Sequence, residues 1–157
     1  MARAHHVAAA VVDPEIPVVT IADLGILRDV RLDGDTVVVH LTPTYTGCPA
    51  VLAIELAVEA ALREAGFDNV RIERVLSPPW STDAITDAGR EKLRAYGIAP
   101  PAQRAGRGAL LFGSEVIACP RCGSQQTSRI SEFGSTACKA LWRCDSCREP
   151  FDYFKCL

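Results

Sequence analysis

Cysteine is the residue type with the clearest chemical potential in this chain of 157 residues, and six of the seven cysteines lie in the last 39 residues. Cys119 and Cys122 form one CxxC pair, Cys144 and Cys147 form a second, and 21 residues separate the two pairs. A CxxC turn aims two thiolates at one ion, and four sulfurs at about 2.3 Å complete the closed tetrahedral shell of structural zinc. The separation slightly exceeds the usual range of about 15–20 residues. We predict a structural zinc site, with a redox disulfide pair or an iron centre as alternatives.

The sequence around these pairs is typical of a zinc ribbon. Gly123 follows the first pair and Phe151 follows the second. The strand-like sequences QTSRISEF, KALWR and FDYFKCL predict three short antiparallel strands. A module of about 40 residues buries too little apolar surface to fold without such a cross-link. We therefore expect residues 115–157 to form a separate zinc-stabilised domain.

Two further cysteines in this region, Cys138 and Cys156, lie outside both pairs. One interpretation is a small packed side chain at Cys138 and a thiol at a frayed end of the chain at Cys156. The other is a second pair of thiols available to a metal or cluster. The residues alone leave both interpretations open.

Cys48 stands alone in the first half of the chain, at the end of the loop Thr42–Pro49. This loop joins a predicted strand to the strongest predicted helix, and we expect Cys48 at the N-cap with Pro49 as the first helical residue. Free N–H groups and partial positive charge at a helix N-terminus stabilise a thiolate. A half-buried structural cysteine is the alternative. The hydroxyls of the loop could bind a ligand or cap turns, and they belong to Thr42, Thr44, Tyr45 and Thr46.

Hydrophobic periodicity predicts an α+β domain over residues 1–100, with the order helix, strand, strand, helix, strand, helix. A Pro/Gly/Arg-rich linker follows over residues 101–114. The predicted elements are a helix over about 5–12, strands around Val30–Leu32 and over Thr36–Leu41, a helix from Pro49 to Gly66, a strand over Asn69–Leu76, and a helix capped by Ser81, Thr82 or Asp83.

Composition and charge exclude several classes of protein. The formal net charge is −2, which disfavours a strongly basic nucleic-acid-binding protein. The longest stretch without Asp, Glu, Lys or Arg is Thr36–Ile54, and its two prolines, its glycine and His40 rule it out as a membrane span. The N-terminal sequence MARAHHVAAA lacks the features of a signal peptide, so we expect a reducing, cytoplasmic location. No complete catalytic constellation is present, so we assign no catalytic residues.

Several motifs resemble the PaaD (PaaJ) proteins of bacterial phenylacetate degradation, and the resemblance spans nearly the whole chain. Residues 5–100 are similar to the SufT-type domain of iron–sulfur assembly factors, which carries a DPE loop and one cysteine before its second helix. Here these residues are Asp13, Pro14, Glu15 and Cys48. The motifs that carry the resemblance are DPEIP at 13–17, DLGI at 23–26, LTPTYTGCPA at 41–50, KLRAYGIAPP at 92–101, STACKAL at 135–141 and EPFDYFKC at 149–156.

The resemblance implies an accessory or maturation component of a phenylacetyl-CoA 1,2-epoxidase system. It implies that Cys48 is a transient iron or iron–sulfur ligand, that Asp13 and Glu15 shape its pocket, and that the ribbon docks to the reductase or oxygenase subunits. A homodimer would supply further ligands, and neither nucleic acid nor a membrane is an expected partner. The alternatives are a structural or electron-transfer subunit of the oxygenase and, disfavoured by charge, a zinc-ribbon nucleic-acid-binding protein.

Overall fold

Helices and two small sheets together make up the computed structural model, which describes residues 1–45, 47–101 and 117–155. The chain divides into two compact units, Met1–Gly89 and Arg90–Leu157. This mixture of helices and sheets confirms the predicted α+β class. The described elements are α1 (Ala2–Ala9), β1 (Leu27–Asp33), β2 (Thr36–Leu41), α2 (Ala50–Glu64), β3 (Val70–Arg74), α3 (Asp87–Tyr96), β4 (Ile98–Ala99), β5 (Thr127–Ser131), β6 (Lys139–Cys144) and β7 (Pro150–Phe154).

The first unit is built on a three-stranded sheet in the order β1-β2-β3. β1 and β2 form the predicted antiparallel hairpin, in which Asp33 pairs with Thr36 across a two-residue turn. Gly34 occupies this turn with φ of 59°, a conformation that favours glycine. β3 runs parallel to β2, and α2 connects the two strands. All three central residues of β2, Val37–Val39, are buried, so both faces of the sheet are covered.

Helix α2 confirms the predicted apolar periodicity, because its buried residues recur at helical spacing: Ala50, Ile54, Val58 and Leu62. The carboxylate of Glu55 accepts a hydrogen bond from Arg74 Nη2 of β3 at 2.7 Å, which fixes the helix beside that strand. The solvent side of α2 carries a feature that periodicity did not predict. Leu52 and Leu56 lie there with 60% and 58% of their surface exposed.

The first predicted helix is wrong in its bounds, because α1 covers Ala2–Ala9 rather than residues 5–12. The chain leaves the helix before two β-branched residues, Val11 and Val12. Val12 forms an isolated antiparallel bridge with Thr20, and the N–H of Asp13 donates to Val19 O at 2.9 Å. These tertiary partners favour extended backbone where the local sequence still favours helix.

The predicted cap of the third helix is also wrong. Residues Thr82–Ala84 form a short 3₁₀ turn, and Ile85 is extended with ψ of 124°. Helix α3 begins only at Asp87, and the hydroxyl oxygen of Thr86 accepts the Gly89 N–H at 3.0 Å. The third strand is shorter than the predicted Asn69–Leu76, since β3 covers Val70–Arg74.

The second unit contains a four-stranded sheet in the order β4-β7-β6-β5. Strands β5, β6 and β7 pair antiparallel and confirm the three predicted ribbon strands. The two-residue strand β4 pairs parallel to β7, and a segment this short shows no periodicity that could predict it. A small core packs on the sheet, and its buried members are Ala99, Ile117, Cys119, Ala140, Cys144, Phe151 and Tyr153.

The domain boundaries expected from the sequence, at residues 100 and 114, stay predictions. All of the expected linker beyond Pro101 lies outside the described residues. None of the helices in the described ranges combines the length and hydropathy that a bilayer-spanning helix needs.

A pair of glycine substitutions tests the packing of the first unit. Gly25 has φ of 68°, and a Cβ atom there would lie 2.4 Å from the carbonyl oxygen of Ala84. Gly34 has a similar φ of 59° with no atom within 4 Å of such a Cβ, so Gly34→Ala is the matched control. We expect Gly34→Ala to lower the free energy of unfolding by about 1 kcal/mol. Gly25→Ala should lower it by about 3 kcal/mol or more, because steric overlap with backbone adds to the same conformational cost.

Urea denaturation followed by far-ultraviolet circular dichroism measures both variants. Equal losses of stability in the two variants would contradict the close approach of Gly25 to Ala84.

Candidate metal centre and the Cys48 loop

Four cysteines converge in the second unit. The Sγ atoms of Cys119, Cys122, Cys144 and Cys147 all lie within 4.8 Å of one another. Cys119 Sγ is 3.8 Å from Cys147 Sγ, and Cys122 Sγ is 3.6 Å from Cys144 Sγ. A tetrahedron with zinc–sulfur distances of about 2.3 Å has sulfur–sulfur edges of about 3.8 Å. The donor set and its spacing therefore fit one tetrahedral zinc ion.

Two tight turns place these sulfurs. In the first turn, the Gly123 N–H donates to Cys119 O at 2.9 Å, and Gly123 has φ of 73°. In the second turn, β6 ends at Cys144, whose N–H donates to Glu149 O at 2.9 Å, and Arg148 has φ of 67°. Each turn reverses the chain at its CxxC pair and points both sulfurs to the same side.

Backbone amides and neighbouring sulfurs set the charges of this group. The Cys147 N–H donates to Cys144 Sγ at 3.4 Å and, with the amide of Ser146, lowers the pKa of Cys144 to about 6. At Cys147, the amide of Glu149 lowers the pKa, but loss of water and the adjacent sulfurs outweigh it and raise the pKa to about 12. At Cys122, the amide of Ser124 is outweighed in the same way, and the pKa is raised.

With these opposite shifts, Cys144 ionises readily while Cys122 and Cys147 resist ionisation. A divalent cation supplies the positive charge that four thiolates require, so binding would release protons. The arrangement is therefore a ligand set whose full ionisation depends on a metal ion.

Of the two cysteines in the second unit that lie outside both CxxC pairs, the structure describes Cys138. Cys138 is buried, its Sγ lies 3.0 Å from the Thr136 hydroxyl oxygen, and its carbonyl accepts the Lys155 N–H at 3.1 Å. Cys138 is not part of the four-cysteine group. Cys156 lies outside the described residues, so its predicted role stays a prediction.

Cys48 is half-buried and directly precedes α2. The prediction that Cys48 is the N-cap is wrong by one residue, because α2 begins at Ala50 and Pro49 is the N-cap. Pro49 tolerates this place because it has no N–H to satisfy, and its φ of −66° is already helical. The carbonyl of Cys48 still accepts the Val51 N–H at 3.3 Å, so the cysteine is held in the first turn.

The DPE loop is organised by its own aspartate. Asp13 is buried, and its Oδ1 accepts the N–H groups of Glu15 and Ile16, each at 2.8 Å. Among the described residues, the four ribbon cysteines are the one group of three or more Cys, His, Asp or Glu side chains placed to share a metal ion. The structure therefore does not gather Asp13, Glu15 and Cys48 into a preformed site of this kind.

A hydrogen-bonded anchor lies at the start of the Cys48 loop. The buried Thr42 hydroxyl donates to Val75 O at 2.7 Å and accepts from Arg28 Nε at 3.1 Å. Of the two roles open to the loop hydroxyls, Thr42 therefore has the structural one. Sequence patterns did not predict these contacts, because Arg28, Thr42 and Val75 lie in three separate segments of the chain. Thr46 lies outside the described residues.

Comparison with known proteins identifies both parts of the chain. The family model described as PaaD zinc beta ribbon domain matches residues 104–155. A second model, described as iron-sulfur cluster assembly protein, matches residues 9–73, which include Asp13, Glu15 and Cys48. The chain also has a structural relative: a crystal structure of DUF59, a domain of unknown function, from Bacillus anthracis. This likeness has a TM-score of 0.53 at 28% sequence identity and covers 59% of this chain and 89% of that one.

One curated relative matches nearly end to end. It is an Escherichia coli (strain K12) protein whose name makes it a subunit of a "Putative 1,2-phenylacetyl-CoA epoxidase". The two chains are 53% identical over 145 residues, which cover 92% of this chain and 86% of the relative. The two matched family models between them cover the DPE loop and all four ribbon cysteines. The chain therefore belongs to the PaaD family, with an iron–sulfur cluster assembly domain followed by a PaaD zinc β-ribbon.

Proposed function

We propose that this chain is an accessory protein of a phenylacetyl-CoA epoxidase system and assists assembly of an iron–sulfur or iron centre in that system. One observation carries the proposal: the iron–sulfur cluster assembly model matches the segment that holds Cys48, inside a chain 53% identical to the protein named as an epoxidase subunit. The client would be the reductase or the oxygenase. A reducing, cytoplasmic compartment suits this role, because thiolates stay available as ligands there.

The Cys48 thiolate would be the ligand that the chain contributes to its cargo. One thiolate cannot complete the ligand shell of a cluster. Among the described residues, no group of three or more ligand side chains includes Cys48, so the others would come from a second copy, a small thiol or the client. Transfer is then a ligand exchange, in which an iron–thiolate bond to Cys48 breaks as one to a client thiolate forms, with no net oxidation. A single weak ligand suits a site that must release what it binds.

The ribbon would have a different role. Cys119, Cys122, Cys144 and Cys147 would hold one structural zinc ion, and the folded ribbon would dock to the epoxidase subunits. Four thiolates leave zinc no open coordination position, so this site stabilises rather than catalyses. Support comes from the fit between the sulfur spacing and a zinc tetrahedron.

A second candidate function is a permanent subunit of the epoxidase, and the word "subunit" in the relative's name favours it. A permanent subunit and an assembly factor differ in stoichiometry. We expect the chain to be absent, or present well below one copy per oxygenase, when the assembled epoxidase is purified from cells through an affinity tag on the oxygenase. Quantitative mass spectrometry of the purified complex measures this ratio, and one copy per oxygenase after size exclusion would favour the subunit role.

Substitution of the ribbon cysteines tests the zinc assignment. We expect one zinc ion per wild-type chain and none in Cys144→Ala, whose second unit should lose its ordered strands while the first unit stays folded. Zinc supplies most of the folding free energy of such modules, about 10–16 kcal/mol in zinc-finger peptides. Cys138→Ala is the matched control, because Cys138 is buried in the same unit but lies outside the cluster.

Elemental analysis gives the zinc content, and amide NMR spectra report the two units separately. Full zinc content in Cys144→Ala would show that this ligand set is wrong.

Substitution of Cys48 tests the assembly role. Cys48→Ser should keep the fold and the zinc, because the side chain is only half-buried, but lower the iron content of the client at least several-fold. The reductase and oxygenase are purified from cells carrying the variant, and iron and acid-labile sulfide are measured in each. Ala53→Ser is the matched control, since it places the same side chain on the exposed face of α2. Normal iron and sulfide in both clients, with normal growth on phenylacetate, would overturn the assembly role of Cys48.

A further inference from the structure

Two serines connect the halves of the four-cysteine cluster. Ser124 follows the first CxxC pair, and Ser146 lies inside the second. Their Oγ atoms are 2.8 Å apart, although the two residues lie 22 positions apart in the chain. Ser124 Oγ also accepts the backbone N–H of Gln126 at 3.1 Å, and the Ser146 hydroxyl donates to Gln126 Oε1 at 3.2 Å.

The direction of the serine–serine bond follows from counting protons. A serine hydroxyl has one hydrogen, and Ser146 gives its hydrogen to Gln126 Oε1. Ser124 must therefore donate to Ser146. The result is a closed ring: the N–H of Gln126 to Ser124, Ser124 to Ser146, and Ser146 back to the side chain of Gln126. The carbonyl of Gln126 additionally accepts the Asp145 N–H at 2.8 Å, which ties the ring again to the second turn.

The same two serines are held within the turns that carry the cluster cysteines. The carbonyl of Ser124 accepts the Cys119 N–H at 2.9 Å, and Ser146 directly precedes Cys147 in the chain. Across the cluster, Cys122 Sγ and Cys144 Sγ lie 3.6 Å apart. Each serine therefore belongs to one CxxC turn, and its hydroxyl contacts the serine of the opposite turn.

We propose that the ring formed by Ser124, Ser146 and Gln126 is a positioning network that holds the two CxxC turns at the separation of a zinc tetrahedron and slows metal release. The proposal rests on the zinc ligand set proposed above. Groups that orient metal ligands typically contribute about 10–100-fold in metal affinity, and a bond between the two halves acts on the step in which they separate. None of the three side chains belongs to the proposed ligand set, so they would act only by fixing the two turns that carry the cysteines.

Competition with a chelator tests the network on the full chain. The zinc-loaded protein is mixed with excess of a coloured zinc chelator, and the release rate is measured for wild type, Ser124→Ala, Ser146→Ala and the double variant. We expect each single variant to release zinc at least about 10-fold faster than wild type. The double variant should release zinc no more than about twofold faster than the faster single variant. The reason is that both single variants and the double variant lose the same hydrogen bond between Ser124 and Ser146. Ser146→Thr, which keeps the hydroxyl, should restore the wild-type rate.

Ser135→Ala is the matched control, because the Ser135 hydroxyl donates to Asp152 Oδ2 at 3.0 Å in the same unit without joining the two turns. Its release rate should stay within about twofold of wild type. Gln126→Leu provides an independent variant, since it removes the acceptor of the third bond and should also speed release. The spectrum of the cobalt-substituted variants should keep its thiolate charge-transfer bands, which reports that the four sulfur ligands are unchanged.

Wild-type release rates in both serine variants, or effects of the two substitutions that multiply in the double variant, would overturn the positioning network while leaving the ligand set intact. A wild-type chain that binds no zinc would instead overturn the ligand set, and the network with it.

Discussion

Repulsion among four closely spaced sulfurs is the physical constraint on which the second unit depends. Ionised sulfurs at the observed separations of 3.6 and 3.8 Å would repel one another strongly. A divalent cation bound by all four sulfurs would neutralise this repulsion and would cross-link the two turns. The ribbon core consists of only a few buried residues on one sheet. Because so small a core contributes little stability, a cross-link at the cluster would supply stability that hydrophobic packing does not.

The first unit depends on ordinary packing. The central strand β2 is buried on both faces, and α2 covers one face through residues spaced along a single helical side. Buried hydrogen bonds then anchor the loops that leave this framework, with Asp13 closing the DPE loop and Thr42 fixing the start of the Cys48 loop. Cys48 therefore lies in a loop that is anchored at Thr42 and leads into α2.

The two cysteine sites differ in a way that suits different tasks. The four ribbon sulfurs lie close enough together to bind one metal ion. A hydrogen bond between two serine hydroxyls joins the turns that carry these sulfurs. Cys48 is half-buried, and no described group of ligand side chains includes it. A closed site retains its ion, whereas an incomplete site binds a metal centre only together with another molecule. This contrast supports the proposed stabilising role of the ribbon and the proposed transfer role of Cys48.

Sequence patterns by themselves determined the α+β class, strand β2, the apolar face of α2 and the pairing of the two CxxC motifs, because each depends on local periodicity or on a short spacing. Tertiary partners decided the rest. Val12 left the first helix to pair with Thr20, Thr86 replaced the predicted caps of α3, and β4 exists only because β7 lies beside it. The meeting of Ser124 with Ser146 likewise needed the folded ribbon, since no local rule relates two hydroxyls 22 positions apart until the turns that carry them are brought together.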